Sequence, residues 1–170
     1  MKQIFFLVLG LFLIGCIWKF SAGTIFTSTQ NDNLSTYVNH EYGISLQYER
    51  EWKLNPNYSH RYDGDDGFFQ INAFDGKDMD IDKVAEFQVS HKLKPFGNNP
   101  SIIKLTIQGQ EARLILPSQD QVKDFENQAE VIVTYPKAIE INESFYYYFI
   151  LYADKDHIQT IAKTIEFIAK

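Results

Sequence analysis

His40 and Glu41 stand side by side, as at the start of a His-Glu-x-x-His zinc helix, but position 44 is isoleucine. The second ligand is missing, so a zinc hydrolase of that type is excluded. The other histidines, His60, His91 and His157, fall at no ligand spacing and read as surface residues, so no metal is expected. Asp78-x-Asp80-x-Asp82 has the opening of a calcium loop, but Lys83 occupies the position that needs glycine, and Val89 the one that needs glutamate. Those acids suit a helix start better. Asp63, Asp65 and Asp66 sit in a Gly-containing turn that reads as solvated rather than as a cation site. Ser59 and His60 are adjacent, so in a strand they face opposite ways, and there is no Gly-x-Ser-x-Gly elbow. A recognition surface is easier to find. Tyr58, Arg61, Tyr62, Asp63 and Phe68 fall on one predicted hairpin, and tyrosine and arginine are enriched where proteins meet partners. No catalytic residue and no cofactor is expected. The alternative is a wall-directed hydrolase, which would need two carboxylates facing each other in a deep pocket.

The bulk properties narrow the partners. The 170 residues carry a net charge of −6 with no basic stripe, which repels nucleic acid and anionic lipid alike. The chain has one cysteine, so no intramolecular disulfide is possible and folding rests on the apolar core. Aromatic residues make up 15%, in keeping with a β-rich interior.

The N terminus decides where the domain is expected to sit. Lys2 precedes an apolar run from Ile4 to Ile14, the shape of a secretory signal. It ends in Leu13-Ile14-Gly15-Cys16, with the single cysteine last. This resembles the lipobox of bacterial lipoproteins. The resemblance implies a diacylglycerol on Cys16, cleavage before it, and a lipid-anchored position on the extracytoplasmic face of the cell membrane. An uncleaved single-pass anchor is the alternative, since apolar residues continue to Trp18. Residues 17–36 are rich in Ser, Thr, Asn and Gln and read as a flexible tether. The expected organisation is therefore 1–16 signal, 17–36 tether and 37–170 a single domain.

Within that domain, alternation predicts strands at 44–48, 52–54, 58–62, 67–74, 102–107, 110–116, 128–135 and 145–152. The strand at 145–152 is apolar on both faces and must be covered on both. Helices are predicted at 80–93, capped by Asp78 or Asp80, and from about 154 to the end, where Ile158, Ile161, Ala162, Ile165 and Ile168 form one stripe. The fold class is α+β, a mostly antiparallel sheet of about six to eight strands flanked by two helices.

The opening Tyr42-Gly43-Ile44-Ser45-Leu46-Gln47-Tyr48, followed by Trp52-Lys53-Leu54, resembles the strand–turn–strand that begins PsbP-like domains. The segment from Arg61 to Gln70 is similar to extracytoplasmic domains of bacilli, some of them appended to membrane metallopeptidases. The resemblance implies an α-β-α sandwich with a binding or accessory role, and a second surface or membrane protein as the candidate partner.

Overall fold

The structure is a computed structural model, and it describes residues 33–169. The expected signal segment, with Leu13, Ile14, Gly15 and Cys16, lies outside the described residues. Among those described, two sheets and two α-helices form the domain, and every strand pair is antiparallel.

The smaller sheet holds β1 (Leu34–Asn39), β2 (Ile44–Glu49) and β10 (Glu166–Phe167), with β2 in the middle. β1 starts inside the span expected to be tether, so the folded domain begins earlier than residue 37. The sequence hides this strand because its residues are only half buried in alternation, and Ser35, Thr36 and Asn39 read as spacer. The larger sheet has seven strands: β3 (Lys53–Leu54), β4 (Arg61–Asp63), β5 (Phe68–Phe74), β9 (Ser144–Asp154), β8 (Gln128–Ile141), β7 (Gln110–Leu116) and β6 (Ser101–Ile107), in that spatial order. β9 lies near its centre, and the prediction that it is covered on both sides holds. Phe149, Leu151 and Ala153 enter one apolar cluster, which includes Ile44, Leu46, Trp52, Phe69 and Ile161. Tyr148 and Ile150 enter a second, with Ile81, Val84, Phe96 and Ile132. Helix α1 (Ile81–Val89) covers the second cluster, while α2 (Ile158–Ala162) and the smaller sheet cover the first.

Four further elements differ from expectation, the first being β8, which runs on to Ile141 instead of ending at Tyr135. The strand predicted at 58–62 starts only at Arg61, because Asn55 accepts from the Asn57 amide and His60 turns the chain at φ 55°. Ser59 and His60 are thus in a turn, not a strand. Helix α1 ends at Val89 rather than Leu93, and Leu93 is exposed. The terminal helix has a single short run, after which β10 pairs with β2. Ile165 and Phe167 fit a two-residue period as well as a helical one. Thr164 decides between them: its hydroxyl donates to Ile161 O and accepts from Gln47 N at 2.8 Å, tying the chain to β2.

Asp80 caps α1 by accepting from the Lys83 amide at 2.8 Å, as predicted. Within the first turn, Asp82 anchors α1 to the sheet. It accepts from Arg113 Nε at 2.6 Å and from Lys104 Nζ at 3.1 Å. Arg113 is buried. These donors, Arg113 first, pull the Asp82 carboxyl down to about 2. A depressed carboxyl stabilises the fold above its unfolded pKa, ~4, and that contribution is lost as pH falls through about 2. Asp82→Asn is therefore expected to flatten the acid limb of the stability curve between these values. Thermal melts across that range check it, and an acid limb as steep as in the parent chain would contradict it.

Candidate functional site

The β4–β5 hairpin brings the predicted recognition residues together but turns most of them toward one another. The Arg61 guanidinium lies 3.9 Å from the centre of the Phe68 ring and 5.2 Å from that of Tyr58. It bonds Asp63 Oδ1 at 2.7 Å and Glu126 Oε2 at 2.6 Å. Tyr62 stacks on Phe69, centroids 5.1 Å apart and planes 5° from parallel. Phe68 is not at the surface; it is 3% exposed. Of the five residues, Tyr58 alone presents a large apolar face to solvent. Arg61 here works as a buckle between two strands and the loop bearing Glu126.

Beside the hairpin is an acidic cleft of about 270 Å³, lined by Asp63, Asp65, Asp66, Glu126, Asp154 and Asp156 among others. His157 is not a free surface residue. Its Nδ1 sits 2.8 Å from Asp154 Oδ1, and its ring packs edge-on to Trp52 at 5.1 Å. Asp66, expected in a solvated turn, accepts from Trp52 Nε1 at 2.8 Å. Asp154 also receives the Phe68 amide, at 3.3 Å, and the Asp156 and His157 amides. It therefore caps the turn before α2. A His–Asp pair orients an imidazole, but none of the residues lining this cleft carries a hydroxyl or thiol for it to activate. Of the cleft's carboxylates, Asp63, Asp66 and Asp154 are each bound to a donor. Among the described residues, no group of three or more His, Cys, Asp or Glu could hold a metal ion, and no helix is long and apolar enough to cross a membrane.

The feature that sequence reasoning missed is an apolar groove of about 600 Å³ at the far end of β8. Thr134 pairs with Tyr148 and Ile139 with Tyr146, so the four residues from Tyr135 to Ala138 stand against Tyr147 alone. The extra chain bulges out, and Pro136 inside it donates no amide to a ladder. Six consecutive residues, from Tyr135 to Glu140, line the groove. Gly43, Phe145, Phe167 and Ile168 complete the walls. The floor is fixed: the Tyr135 hydroxyl donates to Tyr42 O at 3.0 Å, its ring meets Phe167 at 5.6 Å, and Ile168 N donates to Gly43 O at 2.9 Å. Phe145 is 56% exposed at the rim, near Lys137 and Glu140. Pro136-Lys137, which interrupts the strand, is the trace of the groove in the sequence.

No family model matches the chain, and no curated protein matches it. Among solved structures, it is similar to the solution structure of cyanobacterial PsbP from Synechocystis sp. PCC 6803, with a TM-score of 0.43 and 12% identity, over 82% of this chain and 95% of that one.

Proposed function

We propose that the chain is a binding domain held at the outer face of the cell membrane, and that the β8 groove receives an extended, apolar segment of a partner protein. The observation that carries the reading is the groove itself. It has a size common in ligand sites, an aromatic and aliphatic lining, and a pre-formed floor. A groove lined by six consecutive residues of one strand favours an extended peptide over a compact small molecule, since strand-like ligands lie along a strand with side chains in pockets. Membrane attachment is part of the proposal and rests on the sequence from Leu13 to Cys16. Two acyl chains on Cys16 would anchor stably where one would not.

Selection from a random linear peptide library on the purified chain tests the groove. Peptides with spaced apolar residues should be enriched. Phe145→Glu should weaken them at least tenfold while leaving stability within about 0.5 kcal/mol, because the residue is at the surface. Equal binding by the variant would contradict the reading, as would enrichment only of compact hydrophobic compounds in a parallel screen. Attachment is tested separately, by the intact mass of membrane-extracted protein beside Cys16→Ser. A chain starting at Cys16 with diacylglycerol, lost in the variant, is expected; an unmodified full-length mass in both would contradict it.

A further inference from the structure

Glu130 is wholly buried, and neither of its carboxyl oxygens has a hydrogen-bond partner. It lies on the α1 side of β8, in alternation with Val131 of the opposite cluster. Ile115 of β7 and Tyr152 of β9 stand directly across from it. A buried carboxylate without a partner is among the costliest groups a core can hold, and the neutral acid is the form such a site tolerates. Burial accordingly pushes this carboxyl well above its ordinary range.

The surrounding charges do not relieve it. Arg113 of β7 is committed to Asp82 of α1 and to Ala112 O, and Lys104 of β6 binds the same Asp82. On β9, the Tyr148 hydroxyl donates to Met79 O. The Tyr152 phenol is pushed upward by its own burial first, and then by Glu130. In the segment after α1, the His91 ring accepts from the Leu93 amide, and Lys94 bonds Asn98.

That segment closes this end of the sheet. Phe96 is 1% exposed in the second cluster, and its carbonyl accepts from Ser118 N at 2.9 Å. Gln121 Nε2 clasps both Pro95 O and Gln128 O. A cavity of about 250 Å³ opens here, lined by Phe96, Phe125, Gln128 and Tyr152 among others. Of those residues, Tyr152 stands directly across from Glu130, and Gln128 lies two positions before it on the same face of β8, so the cavity wall shares residues with the carboxyl's surroundings.

We propose that Glu130 is a proton-operated latch: as the neutral acid it allows Phe96 and its segment to close over β8, and on ionising it draws water through the cavity and loosens that closure. The sign follows from linkage. A carboxyl whose folded pKa is raised imposes no penalty below its unfolded pKa, ~4.3. Above that value it erodes stability until pH passes the folded pKa, by up to about tenfold in the folded-to-unfolded ratio per pH unit.

The test is a pH titration of the full chain by NMR, following the Glu130 side-chain carboxyl carbon and the Phe96 and Gln121 signals. The latch predicts that the carboxyl titrates well above the ordinary range and that the Phe96 and Gln121 signals move with it. A midpoint near 4.3 overturns it, and so does a raised midpoint with Phe96 and Gln121 unmoved. Urea midpoints of the parent chain should fall relative to Glu130→Gln as pH rises above about 4.3, and parallel curves overturn the proposal. Should that variant not fold, the titration of the parent chain decides alone. Peptide binding plays no part in either readout, so failure here leaves the groove untouched.

Discussion

Replacing Phe69 with alanine is expected to cost about 3–5 kcal/mol, the usual range for removing a fully buried phenylalanine. The upper part of the range is expected, because Phe69 joins the two sheets. Its ring contacts Tyr62 of the larger sheet, and Tyr37 and Tyr48 of the smaller, at centroid distances of 5.1, 5.5 and 5.0 Å. Trp52 stacks beside it at 6.4 Å. Aromatic pairs of this kind add to the area that each ring buries. Truncation would leave a cavity that four stiff rings cannot easily fill. Urea unfolding checks the value, and tryptophan fluorescence of the folded variant should report a changed Trp52 environment. A loss below about 1 kcal/mol, outside the range for buried phenylalanine, would show that the sheets are joined elsewhere.

Gly67→Ala is the second large effect, with an expected cost of about 1–3 kcal/mol from overpacking. A methyl group at this position would collide with Asp154 Oδ2, and would lie 2.7 Å from His157 Nδ1 and 2.9 Å from Trp52 Cζ2. None of these atoms can retreat cheaply. Asp154 is held by three backbone amides, Trp52 is in the core, and His157 is held by Asp154. His157→Ala makes room on one side, so the double variant should lose less than the sum of the single losses. A double-mutant cycle measures this coupling. Strict additivity would mean that the strain goes elsewhere.

Much of this architecture was legible in the sequence, for a physical reason. β9 carries a continuous apolar run, the mark of a strand covered on both faces, and Asp80 announces the start of α1. Where two periods fit equally well, as at Ile165 and Phe167, only a long-range bond to β2 settles the structure. β1 was missed because a half-buried Ser and an exposed Thr in a strand look like spacer. The smaller sheet that shares one face with α2 was missed along with it. At the sites the limits were sharper. Sequence could place Tyr58, Arg61 and Asp63 on one hairpin, but not reveal that Glu126, 65 residues away, would complete the arginine's bonds. It gave no warning that Glu130 would be buried, since an isolated acid in an alternating strand normally faces water. The groove depends on a bulge in β8 meeting the last strand and the turn at Gly43, a coincidence of three distant segments.

The central claim is that this groove, and not the hairpin around Arg61, is the binding surface. The most direct measurement is an NMR map of backbone amide shifts on adding a peptide selected on the chain. The account predicts that the largest changes cluster at Gly43, Lys137 to Glu140, Phe145 and Phe167, and fade toward β4 and β5. Changes centred on Tyr58, Arg61 and Asp63, with the β8 bulge unmoved, would contradict it and return recognition to the hairpin.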